Sequence, residues 1–379
     1  GCQQLLPHAL AAAAHAETLG VAPEAAGRLL NQAANYLHVR AKFQDAKGAL
    51  ERALAIDEAF LGPNHPNVAL RLNNLGEVLR ELGDYEGAQA ALERALAIAE
   101  EAFGPDHPLV ATCTSTLGKV MRHTGDYEGA RAAFQRALAV NEATLGAEHP
   151  NVAREVNNLG MVLQDLGDYV EARAAYERAL AIDEAAFGPN HPEVAITLNN
   201  LGEVLRELGD YEGARAAYER ALAIDEAAFG PDHPNVATRL NNLGLVLQAL
   251  GDYERARAAF ERALAIIETV LGPSHPNVAT GISNLGMVLQ ALGDYSEARA
   301  AYERALAIDE AAFGPDHPEV AIKLNNLGAV LKDLGDHEGA RAAYERALAI
   351  FEQTLPPDHP YTRTVRKGLA TVQRDLDPP

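Results

Sequence analysis

Between residues 192 and 230 the apolar positions run at helical spacing, break once at a glycine, and resume. Leu198, Leu201, Leu205 and Leu208 follow the i, i+3, i+7, i+10 rule and predict one buried stripe on a first helix. Asn199, Asn200, Glu203, Arg206 and Glu207 fall on the opposite side of that helix. Pro192 suits the first turn, where its missing N–H is not needed, and Gly209 suits the stop just past the end. Asp210 is then placed to cap a second helix by accepting its orphan N–H groups. On that second helix Ala214, Tyr218, Ala221, Leu222 and Ile224 set small residues beside large ones, which permits close helix approach. Gly202 is expected to admit a neighbouring backbone, and Gly230-Pro231 to end the unit.

The unit repeats. His-Pro recurs with its histidine at 65, 107, 149, 191, 233, 275, 317 and 359, an interval of 42 residues. Gly-Asp-Tyr keeps the same interval from Gly83 to Gly293 and becomes Gly335-Asp336-His337 in the last copy. A fixed period of this size, in a unit that reads as two helices, predicts an all-α fold, an α-solenoid of antiparallel helix pairs in which each unit buries its apolar face only against its neighbours. The markers divide the chain into an N-terminal packing helix within 1–21, an array over 22–358, and a capping helix with a tail over 359–379. The array opens with a degenerate pair, where Ala41-Lys42-Phe43 replaces Gly-Asp-Tyr, and continues with seven regular pairs. The end helix carries Arg363, Arg366 and Lys367, and residues 375–379 are expected to fray. In such an array function belongs to an extended surface, with the asparagine-bearing side of the first helices lining its concave face.

Leu198, Leu201-Gly202, Leu205, Gly209-Asp210-Tyr211, Ala214, Tyr218 and Ala221 stand at the spacing of the tetratricopeptide repeat, and the resemblance covers nearly the whole chain. The usual unit of about 34 residues is lengthened here, and Gly-Pro-Asp-His-Pro follows the second helix, which is similar to the kinesin-light-chain variety. Leu or Val replaces the Trp often found in the family. The resemblance implies that the α-solenoid is a right-handed superhelix, a non-catalytic scaffold that binds a protein or an extended peptide in its groove. The segment Leu5-Leu6-Pro7-His8-Ala9-Leu10, leading into Leu29-Leu30-Asn31-Gln32, resembles the approach to the repeats in bacterial NB-ARC (STAND) signalling ATPases. That similarity implies a ligand-sensing region with an upstream NTPase domain in a longer protein. A free-standing kinesin-light-chain-like adaptor and a consensus-like or engineered array, the latter suggested by near-identical repeats, are the alternatives.

Composition narrows the partners. Against 32 basic residues stand 53 acidic ones, a formal charge of -21, the wrong sign for a phosphate backbone, and there is no Trp for base stacking. No apolar stretch is long enough to predict a membrane span. Two cysteines, Cys2 and Cys113, do not make a disulfide framework and fit a reducing cytoplasm, with Cys113 read as a small buried residue. The preference for Arg over Lys and the abundance of Ala suggest a bacterial source. Equivalent histidines on helices packed roughly 8–10 Å apart cannot share a zinc ion, which needs ligands at about 2.0–2.1 Å. They are read as helix-entry residues ahead of proline. No nucleotide-binding or metalloprotease motif occurs, and every carboxylate is expected on a solvated helix surface. Neither a catalytic residue nor a cofactor is predicted.

The candidate binding surface is a ladder of amides. Asn31, Asn73, Asn157, Asn199, Asn241 and Asn325 form one column, and Asn74, Asn158, Asn200, Asn242, Asn284 and Asn326 stand beside it. Side-chain amides donate to and accept from an extended main chain, although hydrogen bonding between repeats accounts equally for one column. Lys119, Arg122, His123 and Met161 flank the ladder in the early repeats; Leu245, Ala249, Met287, Ala291 and Ala329 flank it later. The first group is expected to receive an acidic ligand group. Leu245 and Met287 offer an adaptable apolar subsite, with packing across repeats as their alternative role.

Overall fold

In the computed structural model residues 2–356 and 358–376 are described, and among them there are eighteen helices and no strand. Helix α1 (Cys2–Leu19) precedes eight pairs: α2 (Pro23–Val39) with α3 (Phe43–Leu61), α4 (Pro66–Glu81) with α5 (Tyr85–Phe103), α6 (Pro108–His123) with α7 (Tyr127–Leu145), and α8 (Pro150–Asp165) with α9 (Tyr169–Phe187), followed by α10 (Pro192–Glu207) with α11 (Tyr211–Phe229), α12 (Pro234–Ala249) with α13 (Tyr253–Leu271), α14 (Pro276–Leu292) with α15 (Tyr295–Phe313), and α16 (Pro318–Asp333) with α17 (His337–Thr354). Helix α18 (Pro360–Leu376) comes last. Asp375 and Leu376, expected in a frayed tail, are helical, and residues 377–379 of that tail lie outside the described residues. The chain forms two compact units, residues 1–189 and 190–379. Within each, every pair packs on the next, and the first helices of neighbouring pairs also touch one another.

The α10–α11 turn uses two residues for three tasks. Gly209 sits in the left-handed region at φ 80° and donates to Arg206 O at 3.0 Å, while Asp210 N reaches Leu205 O at 2.8 Å. These two bonds close the end of α10 in a Schellman motif. Asp210 at once caps α11, its carboxylate accepting from Gly213 N at 3.0 Å. Between pairs the histidine is the helix N-cap: Nδ1 of His233 accepts from Asn235 N at 3.2 Å, and its ring stacks on Phe229, 4.6 Å between centroids. The imidazole therefore does the work usually given to a Ser or Asp side chain. The degenerate first pair keeps the turn geometry without its chemistry, since Ala41 takes φ 55° and Lys42 makes no side-chain cap.

In six of the seven regular pairs the helix separation is set by a ring lying on a glycine, and in α4–α5 Leu92 takes the ring's place on Gly76. Tyr218 of α11 is 1% exposed and packs on Gly202 of α10, where an added Cβ would meet the ring at 2.9 Å. The glycine thus admits a side chain, and the expectation of a neighbouring backbone is corrected. Phe260 on Gly244 and Tyr302 on Gly286 repeat the arrangement. Burial pushes the Tyr344 hydroxyl, on Gly328, up to about 12. Leu198, Leu201 and Leu205 are core, but Leu208 is 39% exposed because it is already the C-cap, where the chain turns away from the helix axis. Val194, Ala195 and Val204 complete the buried face in its place.

Across pairs an exposed ladder and a buried one operate together. On the outer helices Arg94 pairs with Glu58 at 2.6 Å and donates to Pro63 O at 3.0 Å, and Arg346 pairs with Glu310 and donates to Pro315 O in the same way. Beneath them Arg71 meets Asp57 at 3.1 Å, Arg239 meets Asp225 at 3.0 Å, and Lys323 meets Asp309 at 3.4 Å, all nearly sealed from solvent. Each of these pairs joins a second helix to the first helix of the following pair. The expectation that every carboxylate is solvated fails for these aspartates and for Glu155, which is 0% exposed and accepts from Ser115 Oγ at 2.6 Å. The reason is that their partners are buried with them. At the equivalent positions of other junctions Ala99 stands with Cys113, whose thiol burial pushes up to about 12, and Ile267 with Gly281.

Burial pushes the Asp57 and Asp309 carboxyls above the usual carboxylate range, against the opposing pull of Arg71 and Lys323. A carboxyl raised in this way stabilises the fold when protonated, fully so below its unfolded value, and that contribution is lost as pH rises through the folded value. At neutral pH each pair therefore costs stability relative to apolar residues of similar size. Arg71→Met alone should lower stability by about 3–5 kcal/mol, whereas Arg71→Met with Asp57→Leu should restore or exceed that of the parent chain; urea unfolding followed by circular dichroism checks both. Gly202→Leu or Gly244→Leu should cost about 1–3 kcal/mol by overpacking, and unchanged melting in both would show that the helix faces are misassigned.

Candidate functional site

In each unit the first helices carry their asparagines on the side where they approach one another, and the amides hydrogen-bond from pair to pair. In residues 1–189 Asn74 Nδ2 donates to Asn31 Oδ1 at 2.8 Å. In residues 190–379 Asn242 Nδ2 donates to Asn199 Oδ1 and Asn284 Nδ2 to Asn241 Oδ1, both at 2.9 Å. Each bond spans 43 residues, from one column to the other in the next repeat. Asn199 and Asn241 also donate to their neighbours Asn200 and Asn242 at 3.4 Å. An amide has two hydrogens and two acceptor lone pairs, so these contacts orient the groups and leave capacity on the half-buried Asn199 and Asn241.

The ladder is interrupted where the sequence changes. Asn73 is 4% exposed and its Oδ1 is buried without a partner, because Thr116 occupies the place of the next amide and donates instead to Thr112 O. Asn158 donates to buried Glu155 at 3.4 Å, and Asn157 reaches Met161 Sδ at 3.9 Å. Asn325 donates to Asn326 at 3.3 Å.

Five predicted residues, Lys119, Arg122, His123, Asn158 and Met161, converge with Arg80 and Phe134 on a cleft of about 180 Å³ in the first unit. Its cations are already engaged. Lys119 pairs with Glu77 at 3.6 Å, Arg122 with Asp165, and Arg80 with Glu81. Arg80 and Phe134 were not anticipated, although Arg80 stands one repeat before Arg122 and so was legible from the period. In the second unit Leu245 and Met287 are half-buried, and Met287 packs on the core around Leu289 and Leu327. A larger cavity of about 480 Å³ lies in the first unit between Ala16, Pro23, Ile56 and Phe60; it contains none of the predicted residues. Among the described residues no three His, Cys, Asp or Glu side chains converge as a metal site requires, and no helix is long and apolar enough to cross a membrane. Lys119→Glu with Arg122→Glu should leave Glu77 and Asp165 facing like charge, lowering the melting temperature at low salt by the equivalent of under about 1 kcal/mol per pair; the loss should shrink in high salt.

A family model described as tetratricopeptide repeat matches residues 25–101, 72–143, 153–227, 197–269, 240–311, 277–353 and 319–378, and a second of the same description matches 116–189. The search of curated proteins finds no match. Among solved structures, BtubC (BKLC) from P. vanneervenii shares 26% identity over 62% of this chain and 92% of its own, with a TM-score of 0.53. A variant of the nearly identical TPR-like repeats ascribed to a Podosopora anserina kinesin light chain shares 23% over 54% of this chain and 97% of its own, TM-score 0.50. The apo form of the quorum sensor NprR from B. thuringiensis is similar over 92% of this chain and 98% of its own, at 16% identity and a TM-score of 0.64.

Proposed function

Because the chain belongs to the tetratricopeptide repeat family, we propose that it is a scaffold that holds an extended peptide or protein segment on the asparagine-bearing faces of its first helices and performs no chemistry of its own. The observation that carries this reading is the oriented amide ladder. Asn199 and Asn241 are fixed by Asn242 and Asn284 at 2.9 Å, so a peptide main chain meets donors and acceptors whose ordering cost has already been met by folding. Asn200 and Asn242 widen the same surface, Leu245 and Met287 supply its apolar flank, and in the first unit Asn157, Lys119, Arg122 and Met161 are the corresponding contacts, whereas Asn73, at 4% exposure, is not presented to a ligand. The partner is a protein or peptide, not nucleic acid, which the charge of -21 opposes.

The preferred setting is the sensor region of a cytoplasmic, bacterial STAND-type ATPase, where a ligand would act through its differential affinity for two switch states. The segment from Leu5 to Leu10 supports it. The 42-residue unit supports instead an adaptor like the kinesin light chains. A nucleotide-binding motif encoded upstream in the same gene decides for the first, and a separate short reading frame for the second.

Random dodecapeptides displayed on phage, selected against the intact chain, should yield binders. Asn199→Ala with Asn241→Ala should weaken them by about 1–3 kcal/mol, two backbone hydrogen bonds at about 0.5–1.5 kcal/mol each, with helicity retained. Affinity that survives this double substitution but is abolished by changes on the outer helices would move the binding surface to the opposite face.

A further inference from the structure

The amide ladder ends unevenly in the second unit, where its open end borders a cavity and the last helix carries unpaired positive charge. For Asn199 and Asn241 the residue 43 positions on is an asparagine that donates to the carbonyl oxygen. For Asn325 that position is Gly368, which has no side chain to donate. Beside Asn325 is a cavity of about 190 Å³ lined by Ile322, Phe351, Tyr361, Thr364 and Val365. It is smaller than the roughly 300–1,000 Å³ of pockets that enclose whole small molecules, and has room for one bulky side chain. Phe351 forms its floor at 1% exposure, and the half-exposed ring of Tyr361 stacks on it with 5.7 Å between centroids. The Thr364 hydroxyl is turned back to Pro360 O at 3.0 Å, so that wall is largely apolar.

The same helix brings cations. Between residues 360 and 376 stand Arg363, Arg366, Lys367 and Arg374 against a single carboxylate, Asp375, in a chain of charge -21. Arg366 is held by Glu352 at 2.8 Å, but Arg363 and Lys367 are exposed and make no ion pair among the described residues. Lys119 and Arg122 of the first unit, by contrast, are both paired. An acidic ligand group therefore displaces no internal partner at α18.

We propose that the cavity between α16 and α18 is an anchoring subsite for an extended peptide bearing a bulky apolar residue close to an acidic one. The apolar side chain fills the space over Phe351, the Oδ1 of Asn325 accepts a peptide N–H, and the carboxylate is drawn by the cations of α18, of which Lys367 stands nearer the cavity-facing side of the helix than Arg363. This rests on the peptide-scaffold reading and adds the place and the sequence class of the anchor.

The dodecapeptide selection tests it. Enriched sequences should carry Leu, Ile, Met or Phe within two positions of Asp or Glu. Binding of a selected peptide, followed by fluorescence anisotropy, should fall at least tenfold in Thr364→Trp, which fills the cavity, and about two- to tenfold in Asn325→Ala. Arg363→Glu with Lys367→Glu, both at exposed positions that leave the fold intact, should weaken it at least tenfold at low salt and flatten its salt dependence. Selected peptides that keep full affinity for the Thr364→Trp and Arg363→Glu/Lys367→Glu chains, yet lose it for Asn199→Ala/Asn241→Ala, would overturn the subsite and leave the scaffold reading standing. A selection that enriches nothing would overturn both.

Discussion

The contact of a side chain with a glycine in each regular pair, a ring in six of them and Leu92 on Gly76 in the other, governs what the surface of this protein can do. At Gly160, Gly202, Gly244 and Gly286 a Cβ would stand 2.7–2.9 Å from the ring carbon that covers it, so the first helix sits as close to the second as the ring's thickness allows. Because the same geometry recurs, successive first helices are offset alike, and amides 43 residues apart on α10, α12 and α14 meet at 2.9 Å. A looser pair would carry its asparagines out of hydrogen-bonding range of the next. The polar ladder is thus a readout of apolar packing beneath it, which is the order of causes expected where each repeat is stabilised only by its neighbours.

Charge is distributed in two regimes. On the outer helices Arg94, Arg304 and Arg346 hold glutamates of the preceding pair, each about a third or more exposed, where ion pairs add little to stability. Their recurrence once per repeat matches a scaffold role, and the second contact of Arg94 and Arg346, to a loop carbonyl, ties the turn between pairs to the helix that follows. Under this layer the aspartate pairs are costly to bury but tolerate no mismatch, since removing one partner strands a charge away from water. Near-identical helices that could pack in several orders are thereby told apart by a few buried residues.

Much of this was legible in the chain. Helix ends, turn residues and the aromatic and glycine positions follow from period and local chemistry, because Pro at a first turn, Asp at a cap and Gly at φ 80° satisfy backbone needs that do not depend on distant residues. What was not legible depended on which residues meet. Leu208 continues the apolar spacing one turn too far, into a cap. Asp225 reads as one acidic residue among many until Arg239, fourteen positions on, closes on it. The amide columns were visible as columns, but their mutual bonding needed the offset between helices, and the carbonyl left over at Asn325 follows only once Gly368 is seen to occupy the next rung.

The buried pairs also bear on how such a gene can change length. Repeats this similar invite unequal exchange, which deletes or adds whole units without shifting the reading frame. An exchange point lying between the two members of a junction, however, creates a new neighbour for each. Joining the chain through Asp225 to the chain from Glu268 onward would bring Gly281 fourteen positions on and seal a carboxylate against a glycine, whereas joining it to the chain from Glu310 onward would bring Lys323 there and supply a cation at the equivalent place. The inherited number and order of repeats is then constrained by which crossovers yield a folded product, and the array carries, in a few interior side chains, a record of the rearrangements it can survive.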